Sequence, residues 1–169
     1  MHGDESDKIK IHRDIFTIER HFAHRVDVVY SAWAAASAKK SWFSDSEQWQ
    51  SHEYRLDFRD GGSEYDRAVV KGSGMEIIYD AHYLKCLSNQ IIVYSYNTII
   101  NQRHLSSSLS TVEFFRLNDD TRLLITENVV AFDRPDNKEE RTQGWNSILA
   151  ALNNYLQSTE SSRSSYNDQ

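Results

Sequence analysis

The stretch that decides the fold is residues 136–157, DNKEERTQGWNSILAALNNYLQ. Its apolar residues recur three and four positions apart, as on one face of an α-helix. They are Trp145, Ile148, Leu149, Leu152, Tyr155 and Leu156. Asp136 and Glu139 supply a capping box, and acidic residues at a helix start suit the helix dipole. A long amphipathic helix is therefore predicted, and its broad apolar stripe requires a concave partner.

The segments before this helix supply that partner, because the period of their apolar residues changes to two. Tyr54, Leu56 and Phe58 alternate with charged residues, which is typical of a half-buried strand. Asp60-Gly61-Gly62 indicates a hairpin turn, since turns that suit the strand twist need positive φ. The other predicted strands are residues 15–22, 63–71, 75–86, 90–100, 105–117 and 122–132, with short helices over 26–36 and 38–42.

Successive strands joined by short turns predict an antiparallel sheet rather than a parallel βαβ array. The fold class is therefore α+β, of the helix-grip kind. A curved antiparallel sheet wraps around the long C-terminal helix, with two short helices after the first strand. One domain is expected over residues 14–158, with flexible tails at 1–13 and 159–169.

The amino-acid composition limits the classes of partner that the protein is expected to bind. A net charge of -6 argues against a nucleic-acid or anionic-membrane surface, because both reward clustered Lys and Arg. No apolar stretch approaches the roughly 20 residues of a membrane helix, so we expect no membrane insertion. The polar N-terminus and the single cysteine, Cys86, favour a cytoplasmic location. The sequence is compatible with a homodimer.

Several short motifs resemble those of a known family. They are Ala32-Trp33, Trp42-Phe43, residues 57–62 (DFRDGG), 79–84 (YDAHYL) and 91–96 (IIVYSY), Thr121-Arg122-Leu123 with Thr126-Glu127, and Gly144-Trp145. On these motifs the chain resembles the START-like superfamily, the polyketide cyclase, lipid-transfer and pollen-allergen group. Within it, the chain is similar to small bacterial proteins related to the C-terminal domain of the activator of heat-shock-protein ATPase. The resemblance covers residues 15–156 and implies a cavity between the sheet and the long helix.

Glu127 stands out among the polar residues, because the predicted alternation of its strand turns its side chain toward the apolar interior. If its strand alternates through Leu123, Ile125 and Val129, the Glu127 carboxylate faces the apolar interior. A buried carboxylate tends to have a raised pKa and can act as a general acid or bind a polar ligand group. The alternative is a position near the strand end, where Glu127 pairs with an arginine or a backbone amide.

The aromatic residues form the second candidate group, because a cavity lined by tyrosines and tryptophans suits a flat or lipid-like ligand. The alternative for each ring is ordinary core packing. Together with Glu127, the predicted ligand-binding residues are Trp33, Trp42, Phe43, Tyr54, Tyr79, Tyr83, Tyr94, Phe114, Trp145 and Leu149.

Patterns for other chemistries are absent from the sequence. The seven histidines show no metal-ligand spacing, and residues 60–62 lack the Lys-Ser/Thr end of a phosphate loop. Ser106-Ser107-Ser108 has no nucleophile-elbow context. We therefore expect neither a metal nor a cofactor. Gly144 is expected to permit close contact between the helix and the sheet, and Cys86 to be a plain buried thiol.

Three functions fit these observations. The first is the binding of a small hydrophobic, aromatic or lipid-like molecule between the sheet and the last helix. The second is a cyclase-like or hydrolytic enzyme that uses Glu127 as acid or base. The third, which rests on the resemblance, is a chaperone-associated protein.

Overall fold

A computed structural model describes residues 8–45, 49–134 and 138–167, with side chains described as far as Glu160. Seven strands form one sheet, and the helices lie on its concave face. The strands are β1 (Ile11–Phe22), β2 (Trp49–Leu56), β3 (Ser63–Val70), β4 (Glu76–Leu87), β5 (Ile91–Ile100), β6 (Arg103–Leu117) and β7 (Asp120–Phe132). The helices are α1 (Val26–Ala34), α2 (Ala36–Lys39), a π-helix (Lys40–Ser44) and α3 (Lys138–Asn167).

The sheet is antiparallel throughout, with strand order β1-β7-β6-β5-β4-β3-β2. Strands β2 to β7 follow one another as a meander, and β1 pairs with β7. Register shifts occur at residues 51–53, 83–85 and 98–99. Such irregularities bend a strand and increase its twist, which helps to give the sheet a concave face. The α+β helix-grip fold is thus confirmed, as an open sheet.

The last helix packs as the spacing of its apolar residues predicts. Trp145 is 7% exposed, and Leu149 and Leu152 are 0% exposed. The Trp145 indole also stacks on Trp33, with ring centroids 6.3 Å apart. Helix α3 makes its main contacts with β1, α1 and the π-helix. The amphipathic face assigned from sequence is therefore the buried one.

The two ends of the domain differ from the predicted bounds. Strand β1 begins at Ile11 and helix α3 continues to Asn167, so both elements extend into segments predicted to be tails. Helix α1 ends at Ala34 and α2 begins at Ala36, where a single helix over 26–36 was predicted. The predicted capping residue Asp136 lies outside the described residues.

The Gly61-Gly62 turn joins β2 to β3 and is hydrogen-bonded to β4. Gly61 has φ of 76°, which confirms the predicted positive φ. The turn is held by a 2.9 Å bond from Gly61 N to Tyr83 O and a 2.9 Å bond from Tyr83 N to Gly62 O. Gly62 is required for a different reason, because a Cβ there would collide with the backbone carbonyl of Asp57.

Replacing Trp145 with Ala should lower the free energy of unfolding by about 3 kcal/mol, because it removes a buried indole that stacks on Trp33. Urea titration measures the loss, with Asn146→Ala on the exposed face of α3 as the control. A loss below about 1 kcal/mol for Trp145→Ala would contradict the packing described above.

The two glycines of the turn should respond differently to Ala. Gly61→Ala should cost about 1 kcal/mol, because only its φ is unfavourable for a side chain and nothing lies within 4 Å of the new Cβ. Gly62→Ala should cost about 3 kcal/mol, because the backbone must move to relieve the collision with Asp57. Equal costs in thermal or urea unfolding would refute the distinction.

Candidate functional site

A cavity of about 1300 Å³ lies between α3 and the sheet. Its apolar lining comes from the strands, the π-helix and the N-terminal half of α3. The apolar and aromatic residues of the wall include Trp42, Phe43, Trp49, Ala68, Met75, Ile77, Tyr79, Tyr96, Ile100, Leu105, Trp145, Ile148 and Ala151. Gly144 also lines it, and nothing lies within 4 Å of a Cβ built there. The expectation that Gly144 permits close helix–sheet contact is therefore wrong, since this part of α3 borders open space.

Aromatic rings run along one side of the cavity in a continuous series. Ring centroids are 5.9 Å apart for Trp42–Phe43, 5.1 Å for Phe43–Tyr79 and 5.0 Å for Tyr79–Tyr96. The Tyr79 hydroxyl is buried and has no hydrogen-bond partner among the described residues. Burial raises the pKa of Tyr79 well above its ordinary value, so the hydroxyl stays protonated and can donate a hydrogen bond.

A row of polar residues crosses the cavity wall from strand to strand. Asp66 in β3 is opposite Tyr79 in β4, which is opposite Thr98 in β5, which is opposite Ser106 in β6. All four line the cavity. Because neighbouring strands lie about 4.8 Å apart, the row places polar groups at regular steps across an otherwise apolar wall.

Arg141 holds the end of this row nearest to α3. Its Nη2 donates to Ser106 Oγ at 2.6 Å, and its Nη1 donates to the Tyr96 hydroxyl oxygen at 3.0 Å. The Tyr96 hydroxyl in turn donates to Glu127 Oε2 at 2.8 Å. These bonds fix the Arg141 guanidinium in the cavity wall, and they link it through Tyr96 to a buried carboxyl group.

Glu127 faces inward, as the strand alternation predicts. It is 0% exposed, as are Leu123 and Ile125 before it in β7. Burial raises the pKa of the Glu127 carboxyl, against the opposing effects of the Tyr96 hydrogen bond, the nearby Ser110 hydroxyl and the Arg141 charge. Glu127 is not among the residues that line the cavity, since Tyr96 and Trp145 form the wall there. Glu127 therefore lies behind the cavity wall and holds Tyr96 through a hydrogen bond.

A second buried charge cluster ties the π-helix region to the sheet. Lys39 Nζ is 2.5 Å from Glu64 Oε2, and their side chains are 1% and 0% exposed. Glu64 also accepts hydrogen bonds from Tyr83 at 2.6 Å and from Tyr54 at 2.8 Å. This buried, hydrogen-bonded pair anchors the segment that carries Trp42 and Phe43 into the cavity wall.

The residues predicted as ligand-binding fall into two groups. Trp42, Phe43, Tyr79 and Trp145 line the cavity. The others do not line it: Trp33, Tyr83, Tyr94, Phe114 and Leu149 belong to the buried core, Tyr54 bonds Glu64, and Glu127 lies behind Tyr96. Cys86 is half-buried rather than buried.

Sequence reasoning missed Asp66, Arg141 and the Lys39–Glu64 pair. The alternation of β3 carries a signal for two of them, since Glu64, Asp66 and Ala68 share its buried face. Arg141 precedes the apolar stripe of α3 and carries no distinguishing pattern. Among the described residues, no His, Cys, Asp and Glu side chains gather in a group that could hold a metal ion. None of the described helices has the length and apolar character needed to cross a membrane.

The profile of the family described as activator of Hsp90 ATPase homolog 1-like protein matches residues 23–157. The chain belongs to this family. Solved structures support the assignment at 34% identity. One is an uncharacterised protein from Rhizobium leguminosarum, with a TM-score of 0.83, covering 89% of this chain and 98% of that one. Another is the Mll3558 protein from Rhizobium loti, with a TM-score of 0.79, covering 86% and 99% at 34% identity.

More distant structures share the fold. The AHSA1-like protein from Aeromonas hydrophila is 17% identical, with a TM-score of 0.65 over 87% of this chain and 94% of that one. No protein of curated function matches the chain. Family membership thus accounts for the helix-grip fold, and it assigns no role to the cavity.

Replacing Glu127 with Gln should change how stability depends on pH. Because its pKa is raised on folding, the carboxyl adds stability below its unfolded pKa and loses that contribution as pH rises through the folded value. The stability of Glu127→Gln relative to the unmodified protein should therefore increase with pH across this window and then level off. Urea unfolding at a series of pH values measures the difference.

The matched control is Glu113→Gln, since Glu113 is half-buried and sits out of phase with the buried residues of β6. The difference in free energy of unfolding between the variant and the unmodified protein removes the pH-dependent contributions of the other carboxyls. One of these is Asp66, since burial also raises its pKa. A difference for Glu127→Gln that stays flat with pH, or that falls as pH rises, would contradict the raised pKa.

Proposed function

We propose that this protein binds a small hydrophobic, aromatic or lipid-like molecule in the cavity between α3 and the sheet. The observation that carries the proposal is the cavity itself, at about 1300 Å³. Ligand pockets commonly measure about 300–1,000 Å³, so this space suits a ligand at or above the size of a typical drug molecule. A cytoplasmic location is part of the proposal, supported by the single cysteine.

The wall has the composition that such a ligand requires. Rings of Trp42, Phe43 and Tyr79 offer flat apolar surfaces, while Ile148 and Ala151 face them from α3. Burying a ligand of this kind removes apolar surface from water on both partners, at roughly 25 cal/mol per Å². Charged side chains of Arg134, Lys138, Glu139 and Glu140 are exposed and border the same space.

The polar groups of the wall would orient the bound ligand rather than take part in a reaction. Arg141 is fixed by Tyr96 and Ser106, so it can bind a polar group of the ligand with little loss of side-chain freedom. Glu127, the expected acid or base of an enzyme, lies behind Tyr96. Its position supports a binding role for the cavity over a reaction that uses Glu127 directly.

Filling the cavity from α3 should weaken binding without unfolding the protein. Native mass spectrometry and thermal shift with fatty acids and polycyclic aromatic compounds should find ligands for the unmodified protein. Gly144→Trp projects an indole into the open space beside Gly144 and should weaken binding at least about tenfold. Asn154→Trp, on the exposed face of α3, is the matched control and should bind normally.

Two results would refute the proposal. One is that no apolar compound is retained by the unmodified protein at concentrations up to its solubility limit. The other is that ligands bind equally well to Gly144→Trp and to the unmodified protein, which would place binding outside the cavity.

A further inference from the structure

Within the described part of the chain, three buried carboxylates lie on the inner side of the sheet, and their surroundings differ. Glu64 pairs with Lys39 and accepts two tyrosine hydrogen bonds. Glu127 accepts a bond from Tyr96. Asp66 is 7% exposed and accepts a 2.7 Å hydrogen bond from Ser51 Oγ, with no Lys, Arg or His nitrogen within 4.0 Å among the described residues. A carboxylate offers about four acceptor sites, so most of the capacity of Asp66 is unused.

Asp66 differs from the other two in a second respect, because it is part of the cavity wall. It lies opposite Tyr79 in the β3–β4 ladder, and the Tyr79 ring packs on Phe43. The neighbouring hydroxyl of Ser44 is buried, and it has no partner of hydrogen-bonding geometry among the described residues. This end of the cavity thus combines an acidic group and unsatisfied hydroxyls with aromatic rings.

The charges around Asp66 are acidic. Burial raises the pKa of Asp66 most, and the nearby carboxylates of Glu64 and Asp45 raise it further, while the hydrogen bond from Ser51 and the nearby Ser44 hydroxyl oppose them. The cations of the cavity wall, Arg134, Lys138 and Arg141, follow β7 or begin α3. Lys39 is committed to Glu64.

We propose that Asp66 is the binding site for a protonated amine carried by the hydrophobic ligand. An ammonium group would supply the missing counter-charge and use the open acceptor sites of the carboxylate. The Tyr79 ring offers a cation–π face, and Tyr79 is the partner of Asp66 in the β3–β4 ladder. The Phe43 ring already has the Lys39 Nζ 4.9 Å from its centroid. The Tyr79 hydroxyl oxygen can accept a further N–H. This inference rests on the proposed function, and it adds the chemical class of the ligand: an apolar body with a basic nitrogen.

Matched probes separate the amine from the apolar body. Naphthylethylamine and naphthylethanol share one ring system and differ in the polar group. Isothermal titration at neutral pH should show the amine binding at least about tenfold more tightly than the alcohol, because only the amine pairs with a buried carboxylate.

Variants assign the preference to Asp66. Asp66→Asn keeps the shape of the side chain and should reduce the amine-to-alcohol ratio to about one, with alcohol affinity changed less than about twofold. Asp80→Asn makes the same substitution next to Tyr79 in β4, at a residue that does not line the cavity, and should keep the preference for the amine. Thermal unfolding checks that each variant is folded, and the comparison of probes on the unmodified protein needs no variant at all.

The outcomes distinguish this inference from the proposed function. If the alcohol binds in competition with apolar ligands and the amine binds no better, the Asp66 site is refuted and the hydrophobic cavity stands. If the amine preference persists in Asp66→Asn, another group recognises the amine and the assignment is overturned. If none of the probes binds and no apolar compound is retained, the proposed function fails as well.

Discussion

Burial of the apolar stripe of α3 on the concave face of the sheet is the interaction on which the rest of the structure depends. Leu149, Leu152 and Leu156 are at most 1% exposed, and each such side chain contributes roughly 1.5–3 kcal/mol relative to an exposed one. The N-terminal half of the helix behaves differently, because Arg141, Gly144 and Ile148 border open space. The C-terminal half of α3 therefore packs in the core, and its N-terminal half forms one wall of the cavity.

The cavity keeps its shape because buried polar groups hold its walls. The Lys39–Glu64 pair fixes the π-helix region against β3 and β4, and Arg141 fixes the start of α3 against β5 and β6 through Tyr96 and Ser106. Buried polar groups that are fully bonded specify one arrangement, since any alternative leaves them unsatisfied at a cost of several kcal/mol. The apolar walls would otherwise be free to collapse into the space.

The polar row across the wall gives the cavity two chemically different ends. Asp66 and Ser106 are separated by three strand spacings, or roughly 14 Å along the sheet. A carboxylate lies at one end, and the Arg141 guanidinium bonds the hydroxyl at the other. A ligand held between them would be fixed in direction as well as in place, and this is a property of the wall rather than of any single motif.

The sequence by itself determined the elements and the faces that they bury. The spacing of Trp145, Leu149 and Leu152 fixed the helix and its packing, and the alternation in β7 placed Glu127 inside, because burial selects one face at a period of 3.6 or 2. Only the tertiary structure decided which buried residues border space and which fill it. Trp33 and Trp42 both have nearly no exposure, yet only Trp42 lines the cavity, and Gly144 lies beside a gap rather than a contact. The physical reason is that local periodicity records which side of an element is away from water. Whether that side meets a neighbour or a cavity depends on the curvature of the sheet and the tilt of α3, which arise from contacts between residues far apart in the chain.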